Sequence, residues 1–349
     1  MAATGKTYLV YYEFESTKGN HAGMAYLARY LDKHLGEVEL VKHIPQEFKY
    51  GSYLSRLYAV GVAYYLLAVL RKNDKVFFME YLSKGVAHQD LTAGILRRHG
   101  VRNPFYALVH LSGKHLLELY RSEQRILGKL NQVDKVFVFG SSLKQFLLGI
   151  GYGKEVVQTF HYADTAYYQP APPAAPGAGP AVPLQVICMG SLKRNYAQLR
   201  DIIGQTPGVT FHVCMGRSNL GSIFAPFPNA KVYGFLEEAE LLALMQRCDV
   251  NLSVLEDTIG SNVITTSLAV GHIQVVSDVG SIRDYCDAGN AYFCLETGQF
   301  VGALSALQHD RDAVARMKRN ALAKAARFSK ETFLREFASL VVQDQTLTY

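Results

Sequence analysis

The chain has 349 residues, 49% of them hydrophobic and 19% charged, a size and balance that suit two globular domains and exclude a disordered chain. The net charge of +6 is unevenly shared: residues 1–165 carry 21 basic against 14 acidic side chains, the remainder 15 against 16. Five cysteines, Cys188, Cys214, Cys248, Cys286 and Cys294, form no C-x-x-C pair, which argues against a disulfide framework and fits a reducing cytoplasm.

No apolar run with a small-residue cleavage site opens the chain, so no signal peptide is expected. TYLVYYE (7–13) reads as a strand, STKGNHAG as a loop through Gly19 and Gly23, and MAYLARYLDKHL as a helix. That loop either lets backbone approach a ligand or is a plain strand–helix turn. Further strands are expected at 38–41, 75–80, 105–110 and 135–140. Between them LYAVGVAYYLLAVL (57–70) is the longest uncharged run, too short to span a bilayer comfortably. It is either a buried helix or an interfacial one, since Arg56, Arg71 and Lys72 flank it and tyrosines interrupt it. The basic excess of this half suits an anionic partner or an acidic membrane surface, and no motif points to nucleic acid. GIGYGK (149–154) precedes the strand-like VVQTF instead of opening a helix, so it reads as a turn and not as a phosphate loop.

QPAPPAAPGAGPAVP (169–183) holds six of the eleven prolines and can continue neither helix nor central strand. It divides an N-terminal domain (1–168) from a C-terminal domain (184–325), with a final helix (326–349) expected to pack back on the first domain. Strands follow at 184–190, 210–216, 230–235, 250–255 and 273–278, mostly separated by helical segments. This alternation predicts an α/β chain of two doubly wound, Rossmann-like domains, with ligands at strand carboxyl ends and in the crevice between domains. In EDTIGSNVITTSLAVG (256–271), Ser261 and Asn262 read as a helix start and Gly271 as its end. No HExxH, GxSxG or clustered metal-ligand pattern occurs, so no metal site is expected.

Three stretches recur in a telling order: 135–170, ending HYADTAYYQP with Asp164; LQVICMGSLKRNYAQLRDII (184–203); and 230–285, which contains the EDTIGSNVITTSLAVG loop. This ordered set resembles the GT-B glycosyltransferases, specifically the large retaining family that uses nucleotide-sugar donors. The resemblance implies two Rossmann-like domains facing across a cleft, the donor on the second and the acceptor on the first. It places the 256–271 loop and helix at the donor, where a helix start offers N–H groups and a dipole to a diphosphate. Gly260, Ser261 and Asn262 then belong to donor binding, and Asp257, or Glu256, stands where the family's first acid holds sugar hydroxyls. Thr266 replaces the family's second acid, with Thr265 beside it, so a ribose contact there lacks charge assistance.

By the same likeness His110, or alternatively His115, lies beside the donor sugar. Lys193 or Arg194 neutralises the diphosphate, Ser191 standing at the family's usual Arg position, and Arg217 is a further donor-binding cation. Gly19 would let backbone approach the donor or acceptor. The implied reaction is metal-independent sugar transfer with no cofactor, nucleotide-sugar being a substrate. The acceptor is a glycan or polyprenyl-linked molecule in surface polysaccharide or glycoconjugate synthesis, with peripheral membrane contact through the first domain at the inner membrane face. A nucleotide-sugar epimerase of the same fold and a non-catalytic nucleotide-sugar-binding scaffold are the alternatives.

Overall fold

The structure, a computed structural model, describes residues 5–14, 18–43, 51–172, 183–214, 216–219 and 221–344. The chain forms two compact units, Met1–Phe160 with Glu331–Tyr349, and His161–Lys330.

Unit 1 begins with β1 (Thr7–Tyr12), α1 (Met24–His34), β2 (Val38–His43), α2 (Gly51–Val69), β3 (Lys75–Tyr81) and α3 (Gln89–Arg98). There follow β4 (Phe105–Val109), α4 (Gly113–Tyr120), α5 (Glu123–Leu130), β5 (Lys135–Val138), α6 (Ser141–Gly149) and β6 (Glu155–Gln158). The six strands are parallel in the order β2-β1-β3-β4-β5-β6. Runs such as VFFM and YALV are buried on both faces, as strands covered by helices on either side must be. The GIGYGK stretch is a turn: α6 ends at Gly149, Gly151 takes φ +88°, and β6 follows.

Unit 2 contains β7 (Gln185–Met189), α7 (Tyr196–Gln205), β8 (Thr210–Cys214), α8 (Gly221–Phe224), β9 (Ala230–Tyr233) and α9 (Glu238–Met245). It continues through β10 (Val250–Ser253), α10 (Asn262–Val270), β11 (Ile273–Ser277), α11 (Ile282–Tyr285), β12 (Ala291–Cys294), α12 (Thr297–His309) and α13 (Arg311–Ala325). Its parallel order is β12-β11-β10-β7-β8-β9. The chain starts at β7, winds outward to β9, then returns to β10 beside its origin. The strand order therefore reverses between β7 and β10, with Val250 beside Val186 and Asn251 beside Ile187. Such a reversal opens a crevice at the strand carboxyl ends, the usual ligand position in this architecture.

The unit boundary differs from the one suggested by the proline-rich stretch. The chain changes unit at Phe160/His161 and not at 168, because the backbone there is already tied to the second sheet's helices. His161 N–H donates to the Tyr285 hydroxyl (3.0 Å), Thr265 Oγ1 donates to the Tyr162 carbonyl (3.2 Å), and Ala163 N–H donates to the Phe328 carbonyl (2.8 Å). Asp164 is buried against Lys330 at 2.6 Å and accepts from the N–H groups of Ala166 and Tyr167. Residues 173–182 of the proline-rich stretch lie outside the described residues. At the other end, α14 (Lys330–Phe337) sets Phe337 against Phe77 of β3 and Phe333 against Phe160. Beyond it, Asp344 pairs with the buried Lys135 at 2.6 Å, which fastens this segment to unit 1.

Candidate functional site

The β7–β10 reversal gathers two loops and a helix start. After β7, Gly190 adopts φ +81°, which a side chain would oppose. A Cβ there would lie 2.9 Å from Arg194 Nη2 and 3.4 Å from Val263 Cγ2, so strand end, guanidinium and first turn of α10 converge. The loop after Gly190 is laid against the loop after β10. Asn195 N–H donates to the Val254 carbonyl, Glu256 N–H donates to the Lys193 carbonyl (both 3.0 Å), and Arg194 bridges Leu255 antiparallel.

Of the two adjacent cations expected here, Arg194 is the one turned inward. Its Nε and Nη2 donate to the Met189 carbonyl at 3.1 and 2.9 Å, and among the described residues no carboxylate pairs with it. Burial pulls its pKa down to about 10, still charged at neutral pH. Lys193 sits in the left-handed region at φ +52°.

The 256–261 loop is shaped by two glycines. Gly260 takes φ +93°, and a Cβ on it would fall 2.1 Å from Tyr285 Cε2. Gly280, after β11, lies so close that a Cβ would meet the Thr258 carbonyl at 2.0 Å and Asp257 Oδ1 at 2.9 Å. Asp257 is half-buried and accepts from Thr258 N–H at 2.8 Å, whereas Glu256 is exposed. The helix then runs Asn262–Val270 with Ser261 as N-cap and Gly271, at φ +88°, as C-cap. Ser261's side chain makes no capping bond. Among the described residues no acceptor takes the N–H groups of Asn262 or Val263, leaving donors and the positive helix end open to an anion.

Thr266 is buried, and its hydroxyl donates back to the Asn262 carbonyl at 2.6 Å; only its lone pairs remain for a ligand. His161 was not among the expected site residues. Its Nδ1 lies 3.2 Å from Asn262 Oδ1, across 101 positions of chain, so it orients the first residue of α10. No local pattern signals a pairing of that length. Arg217 is exposed in the loop after β8, 5.4 Å from the Phe235 ring centre.

In unit 1, His110 follows β4 directly. Its Nε2 lies 2.5 Å from the Met79 carbonyl, so Nε2 carries a proton and donates it there. Glu80, the next residue of β3, places Oε2 at 3.8 Å from the same nitrogen. Burial pushes the Glu80 carboxyl above its usual range, with His110 opposing that shift. Glu80 is a second residue of this arrangement that sequence patterns leave unmarked. His115 lies in the first turn of α4, its N–H donating to the capping Ser112. Gly19 is in an exposed turn at φ +88° with no atom within 4 Å of a built Cβ. The turn conformation alone accounts for glycine there.

No family model matches the chain, and no curated protein does. Solved structures match along almost its whole length. A sucrose-phosphate synthase from Thermosynechococcus elongatus is 11% identical with a TM-score of 0.76, over 97% of this chain and 98% of that one. The lipopolysaccharide outer-core galactosyltransferase WaaB is 12% identical with a TM-score of 0.70, over 97% and 99%. Anabaena HepE, solved with UDP and glucose, is 15% identical with a TM-score of 0.68, over 97% and 100%. The two six-stranded parallel sheets are those of the GT-B fold that these glycosyltransferases share.

Proposed function

We propose that the protein is a glycosyltransferase that takes a sugar from a nucleotide-diphosphate sugar held by unit 2. The observation that carries this reading is Arg194: a half-buried guanidinium without a carboxylate among the described residues, beside Gly190 and the open N-terminus of α10. A cation kept in that state is stabilised by an anion that arrives with the ligand, and a diphosphate matches both its charge and the helix-start N–H groups. HepE, with UDP and glucose, supports the same ligand class.

The chemistry follows from where charge develops. As the glycosidic bond to the diphosphate breaks, negative charge grows on the leaving oxygens, and Arg194 with the N–H groups of Asn262 and Val263 stabilises it in place. Lys193 adds positive field at the same loop. Asp257, fixed by Thr258 N–H and Gly280, holds sugar hydroxyls, and Gly260 lets the loop enter α10 against Tyr285. Thr266 accepts from the ribose. The acceptor hydroxyl attacks from the same face through an oxocarbenium-like state as its proton passes to the leaving diphosphate oxygen, which gives retention, with no protein nucleophile, metal or cofactor in the scheme. His110, backed by Glu80, assists around the sugar, and Arg217 adds a cation for the donor on unit 2. The acceptor is a glycan or polyprenyl-linked molecule of surface polysaccharide synthesis, bound by basic unit 1 at the cytoplasmic face of a membrane.

Saturation-transfer NMR against UDP-, GDP-, ADP-, TDP- and CMP-sugars tests the reading. Binding of one nucleotide class is expected, roughly ten- to a hundredfold weaker in Arg194→Ala, the range of a lost charge-assisted hydrogen bond. Asp257→Ala should weaken the sugar nucleotide more than the free nucleotide. A folded protein that binds none of them, or binds equally well without Arg194, sinks the proposal. Product analysis with the bound donor then separates transfer from epimerisation, and binding without turnover leaves a scaffold.

A further inference from the structure

A cavity of about 770 Å³ lies wholly within unit 1, lined from α2, the loop before α3, α3 itself, and the α4–α5 segment. Its wall is strongly basic: Arg56, Lys84, Arg97, Arg98, Arg125 and Lys129 contribute, against a single carboxylate, Asp90. That carboxylate is already taken by Lys129. Arg97 is taken as well, by Asp134 at 2.5 Å and by the carbonyls of Gln132 and Val101. Lys84 donates to the Leu119 carbonyl at 2.9 Å. Among the described residues no carboxylate pairs with Arg56, Arg98 or Arg125, so three guanidinium forks share one concavity without a counter-charge. This is where the positive excess of the first half of the chain is concentrated.

A second observation is independent of that charge. Tyr120 lines the cavity and is only 4% exposed, yet its hydroxyl proton has no acceptor. Gln132 Oε1, also on the wall, is buried without a partner. Leaving a buried donor unpaired costs about 1–3 kcal/mol in general, so such groups mark places where a ligand or water completes the bonding.

We propose that this cavity is a binding site for closely spaced phosphates, a diphosphate or a pair of phosphomonoesters. Arg56, Arg98 and Arg125 supply the charge, and Tyr120 donates its hydroxyl to a phosphate oxygen. Arginine forks match phosphate oxygens two at a time, and the volume suits a head group or small molecule, not a polymer. The site shares no residue with the β7–α10 loops, so it neither requires nor tests the transferase reading.

Inorganic pyrophosphate is the probe, added to the whole protein and followed by hydrogen exchange and titration calorimetry. Protection over residues 84–98 and 120–132 is expected in addition to any over 190–195 and 260–266, which would belong to the donor site. Arg98→Ala with Arg125→Ala, both exposed side chains, should weaken the unit 1 binding about tenfold or more, and Tyr120→Phe should weaken it while the donor-site binding stays unchanged. Protection confined to the donor-site segments, or full unit 1 binding in the double variant, overturns the proposal. Vesicles of phosphatidylcholine with phosphatidic acid, or with phosphatidylserine at equal charge, identify the source. A phosphatidic-acid preference displaced by pyrophosphate assigns the site to a lipid head group. Pyrophosphate binding without that preference assigns it to a soluble phosphate. Neither signal refutes the site.

Discussion

Arg194 and Gly260 show how much of the candidate site depends on single side chains, or on the lack of one. Gly260 combines a left-handed φ with a Tyr285 ring carbon 2.1 Å from where a Cβ would stand. Gly260→Ala therefore meets both backbone strain and overpacking, each on the order of 1–3 kcal/mol, and should destabilise unit 2 by at least about 2 kcal/mol. The check is a thermal melt combined with donor binding: both should fall, because the loop that enters α10 has to shift. An unchanged melting temperature would mean that the loop yields freely and does not rely on Tyr285. A glycine before a Ser-Asn helix start is readable from sequence, but the ring that makes it necessary is 25 residues further along. The bond from Arg194 back to the Met189 carbonyl was likewise hidden, and His161 depends on a partner 101 residues away. Thr266 was legible as a departure from an acid; its hydroxyl's return to the Asn262 carbonyl was not.

Elements were more legible than site geometry because burial writes itself into short apolar runs. The strands expected from such runs appear with ends shifted by a few residues, and α10 starts and stops at the Ser-Asn and Gly signals. β12 escaped notice because AYFC is four residues long with its two middle residues half-buried, too brief for a period to show. α2 is the instructive case. The uncharged run 57–70 offered either a buried or an interfacial helix, and the helix Gly51–Val69 has both faces. Ala59, Val62, Ala63 and Leu66 are buried, while Tyr53, Leu57, Tyr64 and Tyr65 are exposed at 71%, 68%, 56% and 44%. No helix among the described residues is long and apolar enough to cross a membrane. If unit 1 meets a membrane as proposed, this outward face of Tyr and Leu, with Arg71 and Lys72 beyond its end, is the one that would rest in the lipid interface. Charge-reversing Arg71 and Lys72 removes attraction worth about 1 kcal/mol per cation and adds repulsion, so co-sedimentation with anionic liposomes should weaken by tenfold or more, roughly. Leu57→Ser should weaken it further at constant charge. Equal sedimentation of wild type and charge-reversed protein would detach this helix from any membrane role and leave Arg56 to the unit 1 cavity alone.

Across the whole molecule, the two units carry different acid sensitivities as well as different charge. In unit 2, His272 is fully buried with Nε2 at 2.7 Å from the Met245 carbonyl, and burial pulls its pKa down to about 4. His212, held between Tyr233 and Gln185, is pulled down to about 4 by the same cause, with Lys231 and Arg247 adding to it. Folded unit 2 thus keeps these rings neutral where an unfolded chain, with pKa near 6.5, would protonate them. The unfolded state binds more protons between those two values, so stability is complete above pH 6.5 and is lost as pH falls toward 4. For His272 alone the loss from pH 7 to 5 comes to about 2 kcal/mol. In unit 1, the Glu13 carboxylate responds in a lower pH range. Glu13 is buried, which alone would raise its pKa, but Lys42 and Arg29 at 2.5 Å bring it below the usual range. That stabilisation is present above pH 4.5 and fades only as pH drops through the depressed value. Hydrogen exchange at pH 5 against pH 7 should therefore speed up in β10, β11 and the start of α13 before it does in β1 and β2. His272→Asn keeps a donor for the Met245 carbonyl and cannot titrate, so it should flatten unit 2's pH dependence by most of that amount even if its stability at pH 7 is lower. A slope that survives the substitution would move the acid sensitivity to His212 or to the carboxylates. Loss of protection in β1 ahead of β11 would reverse the order that these two environments dictate.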